Sequence, residues 1–214
     1  MFLCNMAFPV FAVNIDDDAG TLYNQQLKKP GEKLNTGVTY WLELRRNGKR
    51  SEVSNRTRFR SGDGLRFHCK PNFNGYAYIL MLEASQGGHY ILFPTKQFPK
   101  NRFQAGAEIS LPSGNQGNRA WLKFDKAPGT ETLRVILSRT PLNAKEHFCD
   151  NSDVTIAAKN SDDRIPQGTL VSEEPEVDNG GEKRSHKLLQ GRVTVVGRDP
   201  EKLLTVDVVL DHAK

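Results

Sequence analysis

Three residues of this chain combine the side-chain types that nucleophilic catalysis uses. Ser61, Asp63 and His68 bring a hydroxyl, a carboxylate and an imidazole into one short stretch. A serine hydrolase uses these groups as nucleophile, orienting acid and base. Ser61, however, does not lie in a Gly-x-Ser-x-Gly turn, and the alternation around His68 predicts an outward-facing side chain on a strand. A hydrolase therefore remains a second alternative, and the sequence predicts no catalytic residue.

The other histidines and the acidic runs lack the spacing of metal sites. His147 and Cys149 are close in sequence but supply only two donors, and no Cys-x-x-Cys occurs. The acidic run at residues 16–18 lacks the central glycine and terminal glutamate of a calcium-binding EF-hand loop. The remaining histidines are dispersed: His89, His186 and His212. We predict neither a metal site nor a cofactor.

Basic residues are concentrated in the middle of the chain. The formal net charge is +5, but residues 39–142 alone hold 17 Lys and Arg against 7 Asp and Glu. Such a surface can attract an anionic polymer; alternatively, these side chains are the solvated faces of strands, where charge protects sheet edges. A nucleic-acid partner is not expected, because a basic stripe with exposed stacking aromatics is missing. The candidate binding patch comprises Arg45, Arg46, Arg56, Arg58, Arg60 and Arg66.

The elements that would position these residues are short alternating strands separated by turn signals. Residues 39–46 alternate and are followed by Asn47-Gly48, a strong signal for a two-residue hairpin turn. In residues 65–70, Leu65, Phe67 and Cys69 share the predicted inner face. Residues 76–84 are apolar on both faces, which indicates a central strand. This spacing predicts an all-β fold, an antiparallel β-sandwich that is immunoglobulin-like in general architecture.

The composition of the chain divides it into five segments. Residues 1–12 read as a truncated signal peptide, residues 13–37 as a polar lead-in, and residues 38–142 as the sandwich core. Residues 143–190 are predicted to be a flexible polar loop, and residues 191–214 a C-terminal hairpin that returns to the sandwich. Aromatic residues in the core segment, Trp121 among them, are expected to be buried with their polar atoms hydrogen-bonded.

The apolar start and the cysteines together bear on localisation. Residues 1–12 are too short to cross a bilayer but fit an export signal without its basic region, with cleavage after Ala12. Export predicts a periplasmic or secreted protein, whereas an uncleaved chain with a correctly assigned start would be cytoplasmic. Cleavage would leave Cys69 and Cys149 in an oxidising compartment. The two can form a disulfide or remain separate thiols, and the sequence leaves both open.

Several strings in the middle of the chain carry a family resemblance. They are Phe-Arg-Ser-Gly-Asp at 59–63, Asn-x-x-Gly-Tyr-x-Tyr-Ile at 72–79, Leu-Phe-Pro at 92–94, Asn-Arg at 101–102, and the segment from Pro-Gly-Thr-Glu to Thr-Pro-Leu at 128–142. In this order they resemble the bacterial domain-of-unknown-function 4384 family. The resemblance implies an all-β accessory module of envelope and signalling proteins. It implies no activity and no catalytic residue.

Composition and resemblance together favour a binding protein over an enzyme. The preferred hypothesis is a non-catalytic exported β-sandwich that binds a protein partner in the bacterial cell envelope. The alternative is a module whose basic patch holds an anionic polymer, such as a polysaccharide, lipid head groups or, less favoured, nucleic acid. The oligomeric state is left open.

Overall fold

Two β-sheets packed face to face form the body of the protein. The computed structural model describes residues 18–83, 90–112, 121–143, 169–173 and 191–213, and the structural statements below refer to these residues. They form one helix, α1 (Ala19–Lys28), and thirteen strands. The strands of the first half are β1 (Thr36–Arg46), β2 (Lys49–Val53), β3 (Arg58–Arg60), β4 (Gly64–Pro71), β5 (Gly75–Glu83), β6 (Tyr90–Phe93) and β7 (Arg102–Phe103). Those of the second half are β8 (Ile109–Leu111), β9 (Leu122–Lys123), β10 (Gly129–Ser138), β11 (Thr169–Glu173), β12 (Val193–Gly197) and β13 (Leu204–Ala213).

The predicted all-β sandwich is confirmed. One sheet has seven strands in the order β11-β12-β1-β4-β8, with β2 also paired to β1 and β9 also paired to β4. The other sheet has six strands in the order β3-β13-β10-β5-β6, with β7 also paired to β5. The pairs are antiparallel except for β3 and β13, which run parallel and make the second sheet mixed.

Strand alternation places the core between the sheets. On β1, Val38, Tyr40, Leu42 and Leu44 face inward. Phe67 on β4 stacks against Tyr40 at 5.0 Å between ring centroids. The second sheet contributes apolar side chains from β5, β10 and β13 to the same cluster. Burying each side chain of this size stabilises the fold by about 1.5–3 kcal/mol, so the alternating pattern determines which face of each strand lies inside.

Helix α1 is a difference from the predicted polar lead-in. Asp18 caps its first turn by accepting a hydrogen bond from the Thr21 backbone N–H at 2.7 Å. The helix packs on the outer face of the seven-stranded sheet, where Tyr23 contacts Val196 of β12. The lead-in shows little helical periodicity because α1 buries a narrow stripe that includes the polar residue Gln26.

A network of buried amides holds this helix to the sheet. The Gln26 Oε1 atom accepts hydrogen bonds from the backbone N–H groups of Leu34 and Asn35. The Asn72 Oδ1 atom accepts one from the Gly37 N–H at 2.7 Å, and its Nδ2 donates to Asn35 Oδ1 at 2.8 Å. Buried amides are costly unless they are hydrogen-bonded, so these contacts define one position for the segment between α1 and β1.

The predicted C-terminal hairpin is wrong. Strand β12 pairs with β1 and β11 in the seven-stranded sheet, whereas β13 pairs with β10 and β3 in the six-stranded sheet. The chain therefore crosses between the sheets after Gly197. Two consecutive alternating segments look like a hairpin in sequence, but each buries its apolar face against a different sheet.

The predicted flexible loop at 143–190 also needs correction, because Thr169–Glu173 is strand β11 at the edge of the seven-stranded sheet. The predicted export signal at residues 1–12 lies outside the described residues. In the described ranges, no helix is long and apolar enough to span a bilayer.

Cys69 points into the core, as its place on the inner face of β4 predicts. Its thiol is fully buried and is not bonded to a described cysteine, and burial raises its pKa well above the ordinary value. Cys149 lies outside the described residues. Its pairing with Cys69 stays a prediction.

We expect Gly75→Ala to destabilise the protein by about 2 kcal/mol or more. A Cβ atom at Gly75 would overlap the backbone carbonyl oxygen of Ser138 on β10 and press on the Phe103 ring. Gly31→Ala is the matched control, because a Cβ atom there meets no atom within 4 Å. Urea denaturation followed by circular dichroism measures both, and equal unfolding midpoints for the two variants would contradict the packing described here.

We expect Cys69 to resist iodoacetamide in the folded protein and to react once the chain is unfolded without reductant. The physical reason is that burial excludes the reagent and suppresses the thiolate. Mass spectrometry of the Cys69 peptide gives the readout. A Cys69 thiol that reacts only after reduction would instead establish the disulfide with Cys149.

Candidate functional site

Both tryptophans of the chain lie on the outer face of the seven-stranded sheet. Trp41 alternates with the inward residues of β1, and Trp121 directly precedes β9. They are only 6% and 5% exposed, although this face points away from the sandwich core. Arginine side chains cover them, and these arginines make the face a candidate site.

Three guanidinium groups converge on Trp121. The Cζ atoms of Arg66, Arg45 and Arg50 lie 4.3, 4.9 and 5.4 Å from the indole ring. Each distance lies within the roughly 6 Å limit of a cation–π contact. Gly64 leaves room for the indole, because a Cβ atom there would lie 3.2 Å from it. We call Arg45, Arg50, Arg66 and Trp121 the Trp121 cluster.

The strand register brings like charges together in this cluster. Arg45 of β1 lies directly opposite Arg50 of β2. On the other side of β1, Arg45 lies opposite Gly64 of β4, and Gly64 in turn lies opposite Lys123 of β9. Like charges directly opposite each other destabilise a sheet. The cluster therefore concentrates positive charge at one end of the face.

Arg66 is the most buried cation of the cluster, at 8% exposure. Its burial lowers the pKa of the guanidinium, and Arg50 and Arg45 lower it further, whereas Glu43 acts in the opposite direction. The Glu43 carboxylate lies 3.9 Å from Arg66 and also accepts a closer contact from His68 at 3.0 Å. One carboxylate is thus shared between a guanidinium and an imidazole.

The indole N–H of Trp121 has no hydrogen-bond acceptor among the described residues. This differs from the expectation that the polar atoms of buried aromatics are satisfied. A buried donor without an acceptor costs about 1–3 kcal/mol. It is surrounded here by guanidinium groups, which are donors as well, so the cluster presents several donors that favour an anionic acceptor.

Trp41 forms a separate, charge-balanced half of the face. Its ring lies between the Arg192 guanidinium at 4.0 Å and the His68 imidazole, which stacks at 5.4 Å. Arg192 also contacts Glu52 at 3.1 Å, and His68 lies between Glu43 and Glu108. The predicted outward orientation of His68 is confirmed, but the side chain packs against Trp41.

The other arginines of the predicted patch lie outside the Trp121 cluster. Arg46 forms a bidentate ion pair with the buried carboxylate of Asp63, at 2.6 and 3.0 Å. Arg58 makes an exposed contact with Asp211 at 3.4 Å. Arg60 is exposed on β3, and Arg56 is exposed in the turn before it. Of the six arginines selected from the sequence, the structure brings Arg45 and Arg66 together.

Ser61 and His68 do not meet. Ser61 instead lies 3.2 Å from the Nε2 atom of His212 on β13. The backbone N–H groups of the two residues after Ser61 already donate to the carbonyls of Phe124 and Arg60. These N–H groups therefore do not form an oxyanion hole for a reaction at Ser61.

The strings that carry the family resemblance serve packing and hydrogen bonding. Asp63 accepts from the Arg60 backbone N–H at 2.8 Å and thereby closes the turn before β4. The Tyr78 hydroxyl donates to the Leu142 carbonyl and accepts from the Leu142 N–H at 2.7 Å, which pins the chain after β10. The structural role that the resemblance implies for these residues agrees with these contacts.

Sequence reasoning missed Arg50, Lys123 and Trp121 as members of a site. Arg50 follows the Asn47-Gly48 turn, whose residues have φ of +52° and +77°. The two-residue turn signal could have placed Arg50 opposite Arg45. Nothing in the sequence indicates the pairing of β9 with β4, which brings Trp121 and Lys123 to the same end.

We expect the stabilising effect of Asp63 to disappear in acid. Burial alone would raise the Asp63 pKa, but the hydrogen bonds from Arg46 and the Arg60 N–H outweigh it and hold the pKa below 3.8. A lowered pKa stabilises the folded state above pH 3.8, and this stabilisation is lost as the pH falls through the lowered value. At neutral pH, Asp63→Asn should cost about 2 kcal/mol.

Urea unfolding of the wild type and Asp63→Asn at neutral pH and below pH 3.8 measures this difference. Asp211→Asn is the control, because its ion pair with Arg58 is exposed and should contribute little at any pH. A stability difference for Asp63→Asn that stays constant as the pH falls would contradict the prediction.

The comparison with known proteins bears on the middle of the chain. Residues 58–141 match the family described as Domain of unknown function (DUF4384). The match begins at β3, ends just after β10 and includes strands of both sheets, and it covers less than half of the chain. No curated protein and no solved structure gives a significant match. The resemblance is thereby confirmed for residues 58–141, which are similar to this family of unknown function.

Proposed function

We propose that this protein is a non-catalytic binding module that holds an acidic segment of a protein partner at the Trp121 cluster. The observation that carries the proposal is the stacking of three guanidinium groups, those of Arg45, Arg50 and Arg66, over one buried indole whose N–H has no acceptor among the described residues. A carboxylate from a partner would accept hydrogen bonds from the exposed Arg50 and the half-exposed Arg45 at the edge of the cluster.

The low exposure of the rings favours a carboxylate over a nucleic acid. Binding of single strands relies on open aromatic faces on which bases stack. Trp121 and Trp41 are almost fully buried, and arginines cover their rings. A glutamate or aspartate side chain needs only the donors at the edge of the cluster. An acidic polysaccharide presents the same carboxylates and is the alternative occupant.

We place the module in the cell envelope as part of the same proposal. Its support is the apolar stretch at residues 1–12, which resembles an export signal. Direct sequencing of the amino terminus of the protein isolated from its host tests this part on its own. A chain that begins near Val13 supports export, and a chain that retains residues 1–12 contradicts it.

The binding proposal predicts that Arg50→Glu combined with Lys123→Glu weakens the binding of a poly-glutamate peptide about thirtyfold, equivalent to about 2 kcal/mol. Both side chains are exposed and lie in the same cross-strand row. Fluorescence anisotropy of the labelled peptide gives the affinity, which should also fall as salt is added.

Arg58→Glu combined with Arg60→Glu is the matched control. This pair is also exposed and changes the net charge equally, but it lies on β3 at the edge of the other sheet. If both double variants lose the same amount of peptide affinity, the Trp121 cluster is not the binding site. In-cell cross-linking in the host compares the partners of the wild type and of the Arg50/Lys123 double variant. If both capture the same protein to the same extent, the proposed function is wrong. A preference for an acidic polysaccharide over poly-glutamate would favour the alternative.

A further inference from the structure

A second polar cluster lies beside the turn that holds Ser61. His212 on β13, Glu131 on β10 and Asp125 after β9 each place one donor atom within 4.8 Å of the others. In the antiparallel pair of β10 and β13, Gly129 of β10 lies opposite His212 of β13. Glu131 lies two residues after Gly129 on β10. Two distant parts of the sequence, residues 125–131 and His212, therefore meet at one point.

His212 is 2% exposed, and its Nδ1 atom makes no hydrogen bond. This atom lies 3.3 Å from the Glu131 carboxylate, close enough for an ion pair but without hydrogen-bond geometry. A buried ring nitrogen in this state is unusual, because buried polar atoms are nearly always hydrogen-bonded. Carboxylate oxygens of Glu131 and Asp125 both lie within 4.8 Å of the ligand atom of His212, so two acidic groups and an imidazole nitrogen without a hydrogen bond are grouped at one point.

The surroundings of His212 fix the ring in the orientation that a metal ligand needs. Its Nε2 atom lies 3.2 Å from the Ser61 hydroxyl, and its ring packs 5.1 Å from that of Phe124. When Nε2 carries the proton and donates it to Ser61, Nδ1 is unprotonated and can act as a metal ligand. Outer hydrogen bonds of this kind orient histidine ligands in metal sites.

The donor spacing fits a small transition metal. Zinc bonds to nitrogen and carboxylate oxygen of about 2.1 Å place neighbouring donors about 3.4 Å apart in a tetrahedron. The observed 3.3 Å between His212 Nδ1 and Glu131 Oε1 agrees with that spacing. Asp125 is exposed, its Oδ1 atom accepts a hydrogen bond from the Ala127 backbone N–H at 2.7 Å, and one of its carboxylate oxygens lies within 4.8 Å of the other two donors. An imidazole donor disfavours magnesium and calcium, which prefer oxygen ligands alone.

We propose that Asp125, Glu131 and His212 form a binding site for a divalent transition metal of the zinc type. Three protein ligands leave a fourth coordination position for water or another ligand. Glu131 also lines an apolar pocket of about 90 Å³ between the two sheets.

The test uses the full chain without a polyhistidine tag, freed of metal by a chelator. Calorimetric titration with Zn²⁺ should show one bound ion per chain, and the Tm should rise with zinc concentration. Magnesium and calcium should not compete. Substitution of Co²⁺ should give the visible absorption of a tetrahedral site with nitrogen and oxygen ligands, without a thiolate charge-transfer band.

Asp125→Asn is the key variant, because an exposed side chain can be changed without disturbing the core. We expect it to weaken zinc binding at least about tenfold. Glu108→Gln is the matched control on the outer face, where Glu108 faces the other described histidine, His68, at 3.4 Å. Cys149→Ser tests whether the thiol near His147 contributes, and it should leave binding unchanged.

Absence of zinc binding by the wild type would overturn the proposal. Binding that survives Asp125→Asn but is lost in Cys149→Ser would also overturn it and assign the ion to the His147 and Cys149 pair. The outcome is independent of the proposed function, because the Trp121 cluster is tested with a peptide and with variants of other residues.

Discussion

The pairing of β1 with β4 is the constraint on which the rest of the molecule depends. Eight residue pairs, from Val38 opposite Pro71 to Arg45 opposite Gly64, hold these two strands at the centre of the seven-stranded sheet. The same alternation that turns Leu42 and Phe67 into the core turns Trp41 and Arg66 to the outer face. A shift by one residue would reverse both faces at once, so core and candidate site depend on one register.

Charged and polar groups at the start of β4 and on the outer face of this sheet are hydrogen-bonded to different degrees. Just before β4, the buried Asp63 carboxylate accepts hydrogen bonds from the partly exposed Arg46 guanidinium and from the Arg60 N–H, so its charge needs no further partner. On the outer face, the Trp121 cluster gathers guanidinium groups around an indole N–H that lacks an acceptor. Removal of Arg46 would leave the buried Asp63 charge without compensation. The donors gathered at Trp121 are the basis of the proposal that this cluster binds an anion.

The cluster of Asp125, Glu131 and His212 has an excess of carboxylates. Asp125 and Glu131 bring two carboxylates to a buried imidazole, where the outer face has an excess of cations. The β10–β13 and β3–β13 pairings place His212 beside Glu131 and beside the turn that holds Ser61. A binding module with an acidic partner at one place and a metal at another is consistent with this separation of charge.

The amino-acid sequence by itself determined the all-β sandwich, the inner face of each main strand, the turn at Asn47-Gly48 and the basic character of residues 39–142. These features depend on neighbouring residues and on alternation, which a linear sequence displays. Only the tertiary structure decided that β12 and β13 belong to different sheets, that α1 covers part of the outer face, and that Arg50 and Trp121 join Arg45 and Arg66. It alone brought Asp125 and Glu131 to His212. The physical reason is that these contacts depend on which strand pairs with which across long stretches of chain, and the free energy that selects those pairs comes from burial against the whole core.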